Sequence, residues 1–361
     1  MVYNIRIPKG EDLLNKNWNP KTMDIKEVPV PQLRGLCVLF SAPMNGGKTE
    51  GLVSELRRAW YYDLNSIAYN HKRNTRERNS IVIDGREPFP AKTVSGIPEL
   101  RTDLEMRMRL IESDQIQHNA NGGTIIIDGI EHRKHLPLAV VGIDEVNLFC
   151  LNEKEAQETI EFIFWCSQNN VALYLAGLPY DFRHRPFGQV HALAPYINLR
   201  QERKPACMAI TPDGHKCTHT ATHTQRLWHM DVAAAENLGD VLGQMRYFGF
   251  VHKDKTPHQR SYVAAPFFDR TVRIEDAASA GLVYLPVCTP CARLPFRDET
   301  FVVYDAIVRG SLETDLLPEP IQDKIVQFLV TEGWVQDREG TLTARPYYQN
   351  RVGTFSPPPN L

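Results

Sequence analysis

The segment that most narrows the folds open to this chain runs from Gly35 to Tyr61. Gly35-Leu36-Cys37-Val38-Leu39-Phe40 is a continuous apolar run of strand length, the pattern of a strand buried on both faces of a parallel sheet. Ser41-Ala42-Pro43-Met44-Asn45-Gly46-Gly47-Lys48-Thr49 follows, and from Thr49 to Tyr61 the residues Leu52, Leu56 and Trp60 recur at helical spacing. Strand, glycine turn, Gly-Lys-Thr and helix in that order make a P-loop. Its glycines let backbone N–H groups turn inward around a β-phosphate, Lys48 reaches the β and γ oxygens, and the Thr49 hydroxyl suits Mg²⁺. The dipole of the helix that starts here favours the same anion. The usual first glycine is absent, and Ala42 stands near its place.

A second motif is consistent with the first. Ala139-Val140-Val141-Gly142-Ile143 is an apolar strand that delivers Asp144-Glu145 at its C-terminal end, where α/β sheets place their ligands. Asp144 is expected to hold Mg²⁺ through water and Glu145 to take the proton of an attacking hydroxyl. Further strand-like runs lie at Ser66–Asn70 and Val171–Ala176, and Glu153 to Gln168 reads as an amphipathic helix. Thr124 to Ile127 adds a strand or a hairpin within a long insertion. Strands alternating with helices predict an α/β domain with a largely parallel sheet and helices on both faces.

Bulk properties exclude several classes. The chain has 361 residues, 42% of them apolar, enough for at least one sizeable core. A formal charge of −2, from 41 basic and 43 acidic side chains, supplies no global field toward nucleic acid or an anionic membrane. No run of eighteen apolar residues is present, so no ordinary transmembrane helix is expected. With no apolar signal core near Met1, the expectation is a cytoplasmic protein.

The motifs resemble those of the type II (cellular and poxviral) thymidine kinases. That family's loop reads Gly-Pro-Met-x-Ser-Gly-Lys-Ser/Thr, matched here by Pro43-Met44 and Gly47-Lys48-Thr49. Asn74-Thr75-Arg76 sits where the family has Asp-x-Arg, and Gly142-Ile143-Asp144-Glu145 with Phe149 resembles its Ile-Asp-Glu-x-Gln-Phe-Phe. Gly177-Leu178, Asp181-Phe182-Arg183 and Pro186-Phe187 resemble its Gly-Leu-Asp-x-Asp-Phe-x-x-x-Pro-Phe. Cys217-x3-Ala221-x2-Thr224-x-Arg226 and Tyr284-x-Pro286-Val287-Cys288-x2-Cys291 resemble its zinc and lasso signatures. The resemblance implies an ATP- and Mg²⁺-dependent deoxynucleoside kinase, with thymidine as acceptor, in a homo-oligomer that is a tetramer in the family. By the same resemblance Glu145 is the catalytic base. Lys48 and Thr49, with Met44, Asn45, Gly46, Gly47 and Asp144, face the nucleotide and metal. Arg183 is a phosphate or 5′-hydroxyl contact. Met44, Leu178, Phe182, Phe187, Thr224 and Tyr284 line the nucleoside pocket. Read without the family, Met44 and the two phenylalanines are residue types found in a core more often than in a pocket.

Several positions depart from the family. Asn147-Leu148 replaces Gln-Phe, Pro179 and Asn74 replace aspartates, and residues 100–136 and 227–280 are longer than the family's. Two alternatives follow: a kinase for a modified pyrimidine nucleoside, for which Leu148 leaves space, and a non-catalytic nucleotide-binding protein on the same fold.

Of seven cysteines, Cys37, Cys150 and Cys166 lie in apolar surroundings, and the other four lie in polar, turn-rich sequence. Cys288-Thr289-Pro290-Cys291 is a knuckle whose two thiolates can grip one tetrahedral ion. Cys207 and Cys217 are the preferred partners, with His215, His219 and His223 as substitutes for one cysteine, and the expected ion is a structural Zn²⁺. The chain thus divides into an arm (1–34), a kinase domain (35–205), a zinc-bearing lasso (206–295) and a C-terminal extension (296–361). In the extension, Pro318 to Trp334 reads as an amphipathic helix running into a hairpin, with too few basic residues for DNA.

Overall fold

The computed structural model describes residues 30–74, 79–83, 86–117, 123–134, 136–211, 213–243, 249–251, 257–258, 262–269, 281–313, 316–338 and 340–344. The arm before residue 30, Thr75, Arg76 and much of 244–280 lie outside them.

The P-loop strand is β1 (Cys37–Ser41), every residue of it buried, and the loop feeds α1 (Lys48–Ala59). In chain order there follow β2 (Asn65–His71), β3 (Ser80–Ile81), β4 (Phe89–Val94), α2 (Ile97–Gln117), β5 (Thr124–Ile127), β6 (Ile130–Arg133) and β7 (Leu138–Ile143). Then come α3 (Glu153–Gln168), β8 (Ala172–Gly177) and β9 (Leu199–Glu202). They form a seven-stranded sheet in the order β3-β4-β2-β7-β8-β1-β9, parallel except for the β3–β4 pair. The expected strands and the α3 helix are all present. Thr124 to Ile127 forms a hairpin, β5 with β6, beside the sheet.

Local chemistry explains the element ends. The Asn152 side chain caps α3 by accepting from the Glu155 N–H at 3.0 Å, and Glu153 and Glu155 sit where the helix dipole favours anions. Helix α1 lies against the sheet through Leu52 and Leu56, both fully buried; burying one such side chain contributes about 2 kcal/mol. A Cβ at Gly142 in β7 would meet Leu56 Cδ1 at 2.7 Å, so this strand must be bare for α1 to approach.

The second half of the chain builds a smaller unit. β10 (His223–His229) leads to α4 (Met230–Ala235), α5 (Gly239–Gly243) and the short pair β11 (Phe250–Val251) and β12 (Pro257–His258). β13 (Tyr262–Ala264) and β14 (Leu282–Val287) flank β10 in an antiparallel sheet. The extension supplies α6 (Arg297–Arg309), α7 (Glu319–Thr331) and the hairpin of β15 (Val335–Arg338) with β16 (Thr341–Ala344). It has no core of its own. Phe328, Ile325 and Trp334 share one apolar cluster with Trp228, Phe267 and Phe182, so the boundary at 296 divides a single packed body. No helix among the described residues is long and apolar enough to cross a membrane.

Two histidines are held in their neutral form. His132 on β6 is buried beside the fully buried Arg107, whose guanidinium also donates to Asp103 at 2.7 Å and to the Ile127 carbonyl at 2.8 Å. Burial first, then Arg107, lowers the His132 pKa to about 4. His184 stacks on His223 with ring centres 3.9 Å apart, and burial and its neighbours lower it to about 4 as well. An unfolded histidine titrates near 6.5, so the unfolded chain binds more protons as pH falls below that value. The stability these groups contribute is complete above roughly pH 6.5 and is lost as pH falls toward 4. The melting temperature should therefore drop by several degrees, about 4 °C or more, between pH 7 and pH 5. His184→Asn should flatten that slope in thermal melts. Identical slopes for variant and parent would remove His184 from the account.

Candidate active site

The loop between β1 and α1 is shaped by close contacts. Gly47 has φ 81° and Gly46 donates its N–H to the Pro43 carbonyl at 2.9 Å. A Cβ at Gly46 would lie 2.5 Å from the Ala42 methyl and 2.7 Å from the Pro43 oxygen. With Ala42 in the first position, the glycine that makes room is Gly46, and the loop keeps its turn.

Two pairs of side chains meet at the mouth of this loop. Lys48 Nζ lies 2.7 Å from Glu145 Oε1, and the Thr49 hydroxyl donates to Asp144 Oδ1 at 3.0 Å. Parallel pairing of β1, β8 and β7 brings the two motifs side by side, although about a hundred residues separate them. Asp144 is buried and Glu145 has φ 49°, a left-handed conformation that turns its side chain out of the strand line. A hydroxyl and a carboxylate in contact are hard oxygen donors of the kind Mg²⁺ prefers.

Beside the loop opens a cleft of about 860 Å³. The expected phosphate residues Met44 to Thr49, with Asp144 and Glu145, line one end of it. Leu178, Phe182, Phe187, Thr224 and Tyr284, expected from the resemblance to surround a nucleoside, line the same cleft, and Arg183 is on its wall. The small sheet is fastened to the loop. The Met44 N–H donates to Thr224 Oγ1 and Asn45 Nδ2 donates to the Tyr284 carbonyl, both at 2.9 Å. Strand pairing sets Arg226 opposite Tyr284, so β10 and β14 present their side chains to the cleft in register.

Other wall residues were not foreseen. Asn147, in the departure Asn147-Leu148, accepts from the Leu178 N–H at 3.1 Å and so joins the end of β7 to the end of β8. Arg226 is fully buried, 3.2 Å from Asp269, with its guanidinium 5.1 Å from the Phe182 ring and 5.6 Å from the Tyr284 ring. Its motif position was visible in the sequence, but nothing local announced Asp269. Arg183 is engaged by carboxylates: Asp181 at 3.2 Å and Glu332 at 3.4 Å, the latter from the extension. A phosphate reaching Arg183 must compete with both.

The four cysteines chosen from the sequence converge. One sulfur from each of Cys207, Cys217, Cys288 and Cys291 lies within 4.8 Å of the others, and three of the four are buried. Cys217 Sγ is 3.7 Å from Cys288 Sγ, and the Cys288 N–H donates to Cys207 Sγ at 3.3 Å. Four sulfurs at this spacing match the donor set of a closed tetrahedral zinc site. Cys217 Sγ also contacts His219 Nδ1 at 3.3 Å, so His219 stands next to the cluster.

Comparison with known proteins agrees with this geometry. The family model described as thymidine kinase matches residues 101–248. A thymidine kinase of Mesoplasma florum is 24% identical over 194 residues, covering 54% of this chain and 77% of that protein. A thymidine kinase of Ureaplasma urealyticum is 23% identical over 233 residues, covering 64% of this chain and 87% of its own length. A third, from Ureaplasma parvum, is 23% identical over 229 residues, or 62% of this chain and 85% of that one. The motifs, the parallel sheet and the four-cysteine cluster point the same way as this similarity to the thymidine kinases.

Proposed function

We propose that this protein transfers the γ-phosphoryl group of ATP to the 5′-hydroxyl of a deoxynucleoside, thymidine first among them. The carrying observation is that Lys48–Glu145 and Thr49–Asp144 meet at the P-loop end of a walled cleft. Relatives named thymidine kinase support the choice of acceptor.

The chemistry follows from the placement of charge. Phosphoryl transfer passes through a loose transition state, so catalysis is mainly positioning and charge neutralisation. Lys48 lies within 2.7 Å of Glu145 and exchanges this partner for the β and γ oxygens when phosphates enter the loop. Glu145 is then left to accept the proton of the 5′-hydroxyl. Thr49 and Asp144 would hold Mg²⁺, which when bound would supply positive charge to offset that of the phosphates. Phe187, Leu178 and Leu148 wall the acceptor region with apolar surface and exclude water from the reacting oxygen. Structural zinc on Cys207, Cys217, Cys288 and Cys291 belongs to the same reading, as does a reducing, cytoplasmic setting that keeps these cysteines out of disulfides. So does a homotetramer, by the family resemblance, which sedimentation velocity would test.

The direct test is a panel of deoxynucleosides with ATP and Mg²⁺, following ADP release. Thymidine should be the best acceptor. A better modified pyrimidine would redirect the assignment to the substituent beside Leu148, and turnover of none would leave a non-catalytic nucleotide-binding protein. Phe187→Ala should raise KM for the nucleoside roughly 10- to 100-fold, the worth of an aromatic wall, and leave KM for ATP alone. Equal KM changes for both substrates would displace Phe187 from the acceptor pocket.

A further inference from the structure

The basic side chains that line the cleft are matched by carboxylates on the same walls. Lys48 faces Glu145, Arg86 faces Glu50, Arg226 faces Asp269, Arg183 faces Asp181, and Arg185 faces Glu332 at 3.0 Å. The last carboxylate has an unusual origin. Glu332 caps α7 in the C-terminal extension, far beyond residue 248 where the family match ends. Its two oxygens divide between Arg183 at 3.4 Å and Arg185 at 3.0 Å. The packing leaves it little freedom. Phe328 and Leu329, one turn earlier, are fully buried, the Arg183 guanidinium lies 5.4 Å from the Phe328 ring, and that of Arg185 lies 5.2 Å from the Trp334 ring.

Resting on the kinase reading, we propose that Glu332 is a specificity-determining residue. It completes a neutral cluster of Asp181, Arg183, Arg185 and Glu332, so that the cleft takes an uncharged nucleoside and disfavours the same nucleoside once its 5′-oxygen carries a phosphate. Two arginines flanked by Asp181 alone would leave one uncompensated positive charge and a ready phosphate contact. With Glu332 present, a second anion entering the cluster must displace a carboxylate that α7 holds in place. The C-terminal extension thereby acts on the site itself, biasing it toward substrate and against the phosphorylated product.

The test measures binding of thymidine and of its 5′-monophosphate by calorimetry on the full-length protein, with Glu332→Gln and Arg185→Gln. A unit charge a few ångströms from a phosphate, in a partly solvated cleft, is worth roughly a tenfold change in affinity. Glu332→Gln should therefore tighten the monophosphate about tenfold, and Arg185→Gln should weaken it by a similar factor. Nucleoside affinity should move far less in both, and Glu332→Asp should follow the parent. Damage to packing would instead weaken both ligands in both variants. Monophosphate affinity that moves in the same direction in the two variants, or in neither, overturns the inference. If Glu332→Gln does not fold, the sign for Arg185→Gln alone still decides. Binding does not need turnover, so a parent protein that phosphorylates nothing would refute the kinase reading and leave this measurement interpretable on its own.

Discussion

Glu145→Gln should lower turnover by about two to four orders of magnitude, the usual worth of a positioned general base. The substitution keeps the size of the side chain and its place after β7, so the fold and the cleft should survive. ATP affinity should stay the same or tighten, because Lys48, 2.7 Å from Glu145, would lose a competing carboxylate. Steady-state kinetics over a range of ATP and thymidine concentrations would separate these effects. A fall in kcat with unchanged KM for ATP is the expected signature of an interaction made in the transition state. Turnover within a few-fold of the parent would remove Glu145 from the proton transfer.

Cys288→Ser should be nearly as severe, acting on the fold instead of the chemistry. Cys288 touches two of the other three sulfurs, through the 3.7 Å approach to Cys217 and the N–H donated to Cys207. A structural zinc site contributes its binding free energy to folding, about 10 kcal/mol or more in small zinc domains. Here the cluster staples residues 207–217 to the end of β14, the strand that carries Tyr284 toward the P-loop. Elemental analysis of protein prepared without added zinc should find one zinc per chain, and the serine variant should lose it. Loss of soluble protein, or a melting temperature lowered by about 10 °C, should accompany that loss. A metal-free parent that is stable and active would falsify the zinc assignment.

The strands that form the centre of the sheet were legible because they are buried on both faces, which writes an unbroken apolar run into β1, β7 and β8. The P-loop was legible because its chemistry is local: a few consecutive residues supply the turn, the cation and the hydroxyl. Other elements left weaker marks. β4, Phe-Pro-Ala-Lys-Thr-Val, mixes polar and apolar residues near the sheet edge, and α2 is rich in charge around the few apolar residues (Leu100, Leu104, Ile111) that it packs into the sheet core, so neither was foreseen. The four cysteines were identified as one group from their chemistry, since a reduced thiol set in turn-rich sequence has few other uses.

What sequence alone determined is therefore the chemistry that neighbours along the chain can express: phosphate loop, carboxylate pair, cysteine knuckle and the family they resemble. Tertiary structure decided what depends on approach between distant segments. It paired Lys48 with Glu145 across 97 residues and Arg226 with Asp269, and it brought Glu332 to Arg183 across 149. It also made the extension part of the cleft wall, where the sequence showed only an amphipathic helix running into a hairpin. The physical reason is that charge compensation in a cleft is set by distance in space, and a carboxylate at the end of a helix has no local pattern that names its partner.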